Sequence, residues 1–199
     1  MHIIGLLGGV ASGKSLVARQ LAELGAGVLD ADRAAHAVLR QPEVEAAAKA
    51  RWGEAVFGPD GRIDRGRLAK IVFSPNREGL RERKYLEGLM HPRIGRVLAD
   101  EAEGLAAAGT AAAVLDAPLI LEAGWDKLCN TLVFVDAPLS ARQSRASARG
   151  WTSADFAARE AAQLPPEAKR RRAHAVIDNS GSPQETQQQV ERFWRSFSS

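Results

Sequence analysis

Short apolar runs recur along the chain, and each breaks off at a polar or flexible residue. They are Ile3-Ile4-Gly5-Leu6-Leu7, Val28-Leu29, Ala111-Ala112-Ala113-Val114-Leu115, Thr131-Leu132-Val133-Phe134-Val135 and Ala175-Val176-Ile177. These runs are continuous rather than alternating, which is the pattern of strands covered on both faces of a parallel sheet. Between the first two runs, Val17, Leu21 and Leu24 fall on one helical face. From Ala34 to about Ile94 the periodicity is helical. Pro42 opens a helix over Glu43–Trp52 that Gly53 closes, and Gly58-Pro59-Asp60-Gly61 is a turn. Asp64 then caps a segment with Leu68, Ile71 and Val72. The helix from Arg77 carries Leu80, Leu86, Leu89 and Met90, and Pro92 is predicted to kink it after His91. So long a helical insert exceeds a simple crossover and reads as a substrate-binding subdomain mounted on the sheet edge. Residues 141–163 read as one polar helical stretch. A last helix starts near Ser182-Pro183 and carries Val190, Phe193 and Trp194. The predicted class is α/β.

Chemistry enters where the first run ends. Gly8-Gly9-Val10-Ala11-Ser12-Gly13-Lys14-Ser15 fits the phosphate-binding pattern G-x-x-x-x-G-K-[ST], set between a strand and a helix as that motif requires. Without side chains at Gly8 and Gly13, backbone amides can close on phosphate oxygens, and the helix N-terminus adds partial positive charge. Lys14 is placed to reach the β- and γ-phosphates, and the Ser15 hydroxyl to ligate Mg2+.

In doubly wound sheets ligands sit beyond the carboxyl ends of the strands. The second run ends there at Asp30-Ala31-Asp32 and the third at Asp116. Asp30 and Asp32 could both cap the segment Arg33–Arg40, but paired acids at that edge favour a substrate-orienting role for one of them. Asp116 stands where a second Mg2+-organising acid is expected, although turn chemistry also ends strands in Asp. Arg142, Arg145 and Arg149 share one helix face. They read either as a solvated face or as a lid whose guanidinium groups close over ATP, with Arg145 and Arg149 the candidates.

Composition narrows the setting. The 199 residues, 45% hydrophobic and 26% charged, suit an ordinary globular chain. No apolar run approaches a membrane span, and the single cysteine, Cys129, cannot form an internal disulfide, so a cytoplasmic location is expected. A formal net charge of +3 favours polyanionic partners. Lys169-Arg170-Arg171-Arg172 is the densest basic run. It reads as a nucleic-acid patch, a solvated helix face or charge supplied to a phosphate site, with few aromatics nearby for base stacking.

The order of these motifs resembles the dephospho-CoA kinases along nearly the whole chain. The resemblance is carried by Gly8–Ser15, Asp30-Ala31-Asp32, Gly61-Arg62-Ile63-Asp64-Arg65, His91-Pro92 and Pro118-Leu119-Ile120-Leu121-Glu122. It continues through Arg145 with Arg149, Gln163, Lys169 and Val176-Ile177-Asp178-Asn179-Ser180-Gly181. It implies a P-loop NTPase three-layer fold with a five-stranded parallel sheet. The nucleotide-binding core would comprise residues 1–33, 95–140 and 166–199, with a CoA-binding helical domain at 34–94 and a lid at 141–165. It also implies transfer of the ATP γ-phosphate to the ribose 3′-hydroxyl of dephospho-CoA, with Asp32 as base and Lys14 and Arg149 as further catalytic residues.

On this resemblance the nucleotide is held by Gly8 and by the loop from Val10 through Ala11, Ser12, Gly13, Lys14 and Ser15 to Leu16, with Arg145 and Asn179. Asp32, Arg65 and His91 are expected to bind the acceptor, although His91 beside Pro92 reads equally well as a helix-terminating residue. Ser15 and Asp116 would organise Mg2+. Expected partners are small molecules only, with no nucleic acid or membrane, on a monomer or weak homo-oligomer.

Departures from the family pattern are visible. Ala173-His174 stands where Ala-Asp is usual, so a local salt bridge is expected to be missing. Leu16 replaces a hydroxyl residue, and the lid is shortened beyond Arg149. Other classes share part of the pattern: a kinase for another small alcohol would keep the core and lid. A regulatory ATPase or nucleic-acid-binding protein would use the basic runs and need no acid at Asp32.

Overall fold

The computed structural model describes residues 1–196, so residues 197–199 of the expected core segment lie outside the described residues. The chain runs β1 (His2–Gly8), α1 (Lys14–Glu23), β2 (Gly27–Asp30), α2 (Ala31–Leu39), α3 (Pro42–Trp52), α4 (Arg65–Val72) and α5 (Arg77–Ala107). It continues with β3 (Ala112–Asp116), β4 (Thr131–Asp136), α6 (Leu139–Ala148), α7 (Ser153–Ala161), α8 (Pro166–Arg170), β5 (Ala175–Asp178) and α9 (Pro183–Arg195). It divides into two compact units, residues 1–30 with the chain from Asp100 onward, and Ala31–Ala99.

In the larger unit the strands form one five-stranded sheet of order β2-β3-β1-β4-β5. Every neighbouring pair is parallel. β1 is central because Ile4, Leu6 and Leu7 have no polar group to hydrate and are all buried. On one face, Ile4, Leu6, Val114, Val133, Val135 and Ile177 pack with Val17 and Leu21 of α1 and Val190 of α9. α9 starts as expected, with Pro183 in its first turn and a reciprocal cap between Ser182 and Glu185. Register fixes what reaches the carboxyl edge. Asp116 pairs with Leu6 on one side and with Asp30 on the other, Gly8 pairs with Val135, and Asp136 with Asp178.

In the smaller unit, Val56, Phe57, Leu68 and Val72 form a core with Ala48, flanked by Leu39, Trp52, Ile63, Ile71 and Leu86. Asp64 caps α4 by accepting from the Arg67 amide, and Gly53 ends α3 at a φ of 66°. Glu82, only 5% exposed, accepts from Arg51 at 2.7 and 2.8 Å and from Trp52 Nε1 at 2.9 Å. Those bonds, the Arg51 guanidinium first, hold its carboxyl down at about 2.

Three local expectations are corrected. His91 does not terminate a helix, because α5 runs through Pro92 to Ala107. Met90, Ile94, Leu98 and Ala102 bury one stripe straight through that position, so packing outweighs the missing amide. Arg93 also donates to the Leu89 carbonyl at 2.8 Å. The 141–163 stretch is two helices, because Gly150 turns the chain at a φ of 79° and Thr152 with Asp155 caps a new start. α2 begins at Ala31, so Asp32 sits inside its first turn rather than capping a helix at Arg33.

The central strand carries more of the stability than the sheet edge. Leu6→Ala should lower the unfolding free energy by about 2–5 kcal/mol, whereas Val28→Ala on β2, where the side chain is 43% exposed, should change it by less than about 1 kcal/mol. Urea unfolding followed by circular dichroism measures both; equal losses would contradict this ordering.

Candidate active site

The loop between β1 and α1 is held in a shape that an unsupported chain would not keep. Gly13, the N-cap of α1, has a φ of 102°, and a Cβ there would collide with the Asn179 amide. Ala11, a residue with a side chain, sits at a φ of 57°, which costs roughly 1–2 kcal/mol. What offsets that cost is visible in the carbonyls. Gly9 O accepts from Ser12 N at 3.2 Å and from Lys14 Nζ at 3.4 Å. Val10 O accepts from Arg142 at 3.3 Å. Ser12 O accepts from Asn179 Nδ2 at 2.8 Å and Arg145 Nη1 at 3.0 Å. With the carbonyls drawn outward, the amides of Ala11, Gly13, Lys14 and Ser15 donate to no acceptor among the described residues. Donor-only backbone at a helix N-terminus is an anion receptor.

Asn179 and Arg145 are brought to this loop from behind. The Asn179 side chain is buried, giving its amide to Ser12 and taking the Thr186 hydroxyl proton at 2.8 Å. Arg145 joins Ser12 O to Asn179 O, the latter at 2.7 Å. Both therefore brace the loop through its outer carbonyls. Arg142 is buried as well, which excludes the solvated-face reading for it. Arg149 ends α6, is exposed, and stands 5.8 Å from the Trp151 ring centroid. Ser12 Oγ is buried and makes no hydrogen bond within the described residues.

Lys14 lies in a dense field of charge. Burial first, then repulsion from Lys169 and Arg149, brings its ammonium down to about 8, against the attraction of Asp116 and Glu122. Lys169 is 2% exposed, with Nζ donating to Pro118 O at 3.1 Å and Gln163 Oε1 at 2.8 Å and paired with Glu122 at 3.2 Å. Asp116 ends β3 at the same sheet edge, and Ser15 is exposed in the first turn of α1. A hydroxyl and a carboxylate are hard oxygen donors of the kind Mg2+ takes beside substrate phosphates. Among the described residues no group of three or more His, Cys, Asp or Glu is placed to hold a metal ion by itself.

The remaining candidates belong to the smaller unit. Asp32 is exposed in the first turn of α2, Arg65 opens α4 and donates to His36 Nε2, and His91 is half-buried within α5.

With that geometry in place, comparison with known proteins is informative. The family profile described as Dephospho-CoA kinase matches residues 2–185. The chain belongs to the dephospho-CoA kinase family. The Dephospho-CoA kinase of Geobacter sulfurreducens is 40% identical to it over 98% of each chain. That of Geobacillus kaustophilus is 41% identical over 94% of this chain and 92% of its own. A solved protein of Thermus thermophilus superposes with a TM-score of 0.81 at 36% identity, over 98% of this chain and 97% of that one. Shikimate kinase from Acinetobacter baumannii shares the fold alone, at a TM-score of 0.52 and 18% identity.

Several residues of this dephospho-CoA kinase family member escape sequence reasoning as site residues. Lys169 is hidden in a basic run in which Arg170 pairs with Asp136 and Arg172 with Asp126. The family resemblance includes it along with Glu122 and Gln163, and the contacts that join the three link residues distant along the chain. Glu160 and Thr186 carry no sequence signal. His174, where a salt bridge was expected to be missing, takes the Leu132 amide on Nδ1 at 2.9 Å, so the backbone donor stays satisfied.

The lowered Lys14 ammonium has a calorimetric consequence. At pH 8 it is about half charged, and a bound polyphosphate restores the charge, so binding should take up about half a proton. Well below that value Lys14 should contribute no uptake, because it is already protonated. Titration of ATP in buffers of different ionisation enthalpy reads this directly. Buffer-independent heats at pH 8 would mean that Lys14 keeps its ordinary charge.

Proposed function

We propose that this chain transfers the γ-phosphoryl group of ATP to the ribose 3′-hydroxyl of dephospho-CoA, giving CoA and ADP, the last step of coenzyme A biosynthesis. The observation that carries the reading is the loop with its outward carbonyls and its amides at Ala11, Gly13, Lys14 and Ser15, unpartnered among the described residues, in a chain of this family.

Each predicted residue then has a task. The stretch from Gly8 and Val10 to Leu16 encloses the β- and γ-phosphates, with Lys14 supplying a cation from a poorly hydrated position. Arg145 and Asn179 bind the nucleotide indirectly, by keeping Ser12 O turned out of the cradle. Asp32 accepts a hydrogen bond from the acceptor hydroxyl and aligns it for in-line attack, while Arg65 and His91 bind the acceptor. Because the transition state is loose, alignment and charge neutralisation matter more than deprotonation, and Arg149 supplies neutralising charge from the α6–α7 lid. Ser15 and Asp116 would hold Mg2+, which when bound offsets phosphate charge. Residues 34–94 serve as the CoA-binding domain and 141–165 as the lid. The partners are ATP and dephospho-CoA alone, and the protein acts in the cytoplasm as a monomer or weak homo-oligomer, without nucleic acid or membrane. No helix among the described residues is long and apolar enough to cross a bilayer.

A coupled ADP-release assay over an acceptor panel tests the reading. Dephospho-CoA should stimulate turnover, and shikimate, nucleosides, DNA and RNA should not. Stimulation by one of those instead would replace it. Asp32→Asn should lower kcat by about 10²–10⁴ with ATP affinity unchanged, and near-normal turnover would remove Asp32 from the role. Arg149→Ala should lower kcat more than it raises the KM for ATP.

A further inference from the structure

The first half of the phosphate loop is held by groups that the motif does not contain. Arg142 of α6 and Glu160 of α7 form an ion pair at 2.6 Å, with the Arg142 side chain only 8% exposed. Glu160 Oε1 accepts the Val10 amide at 3.2 Å, and Arg142 Nη1 donates to the Val10 carbonyl at 3.3 Å. One residue of the loop is thus gripped through both of its backbone polar groups by a single ion pair, its guanidinium buried and its carboxylate 25% exposed. The guanidinium reaches it across Gly9, where a Cβ would stand 2.7 Å from Nη1. Its other side lies over the ring of Phe156 in α7, 5.6 Å from the centroid.

We propose that Arg142 and Glu160 are positioning residues for the triphosphate site, acting through Val10. The inference rests on the reading of the loop as a nucleotide cradle. Val10 O belongs to the peptide plane that precedes Ala11, and the φ of Ala11 is a rotation from that plane. Arg142 therefore sets the reference for the one left-handed non-glycine residue among those described. Glu160 removes the Val10 amide from the donor set, so the receptor begins at Ala11. Arg142 offsets the carboxylate charge, which would otherwise repel an incoming polyphosphate. Without the pair, the loop would be shaped only when ATP arrives, and the cost would appear in binding rather than in chemistry.

Kinetics and hydrogen exchange of Glu160→Ala and Glu160→Gln test this. In Glu160→Ala the KM for ATP should rise roughly 5–30-fold, the equivalent of releasing the left-handed strain. Its kcat should stay within about 3-fold and the KM for dephospho-CoA should not change. The amides of residues 9–13 should exchange faster in the nucleotide-free protein. Glu160→Gln keeps an acceptor oxygen for both the Val10 amide and Arg142, and should recover most of the ATP KM. An unchanged ATP KM and unchanged loop exchange in Glu160→Ala would overturn the proposal. So would a parallel loss of kcat and of both KM values with a lowered Tm, which is a folding defect. If Glu160→Ala does not fold, Glu160→Asp takes its place, keeping the charge but falling short of the Val10 amide. Should the wild type phosphorylate no acceptor, calorimetric binding of inorganic tripolyphosphate to the same variants still decides the positioning role separately from the activity.

Discussion

A backbone that must offer only donors to an anion has to dispose of its carbonyls, and this constraint organises the larger unit. The Gly9 oxygen is met locally, by the Ser12 amide and by Lys14, whereas those of Val10 and Ser12 are not. Those two oxygens are instead taken by side chains from two other parts of the chain: Arg142 and Arg145 of α6, and Asn179 just beyond β5. Thr186 of α9 then holds the Asn179 amide in place, so even the last helix is tied to the loop. The parallel sheet matters chiefly because it brings the ends of β1, β3, β4 and β5 to one level. A different strand order would leave the donors out of reach.

The same site is also charged unevenly by design of its packing. Lys169 is buried beside Glu122 and Gln163 rather than displayed on the basic run, and its field falls on Lys14. Two ammonium groups in poorly solvated surroundings attract a polyanion more strongly than the same charges would at the surface, where water screens them. The carboxylates of Asp116 and Glu122 keep that arrangement tolerable before the ligand arrives.

Much of this was legible in the residue order, and what was legible had a local cause. The continuous apolar runs give the strands, Pro42 and Gly53 bound α3, and Asp64 and Ser182 cap α4 and α9. The glycines and Lys14 of the loop follow from the stereochemistry of close approach to phosphate. The misses share another cause. Beside Pro92, His91 can be read locally as a helix-terminating residue, yet the buried stripe from Met90 to Ala102 carries α5 through, and that stripe is a tertiary fact. Arg142 looks like one more solvated arginine until Glu160, in the following helix, closes on it. The partners of the Asn179 side chain, Ser12 and Thr186, likewise come from elements that no local pattern joins.

Everything above depends on the loop being shaped before the nucleotide arrives, with its donor set starting at Ala11. Amide NMR during titration of the protein with ATP tests this most directly. The amide resonances of Ala11, Gly13, Lys14 and Ser15 should move strongly on binding, while that of Val10, already bonded to Glu160, should move little. A Val10 amide that shifts as far as the others, or cradle amides that do not respond to ATP at all, would contradict the account.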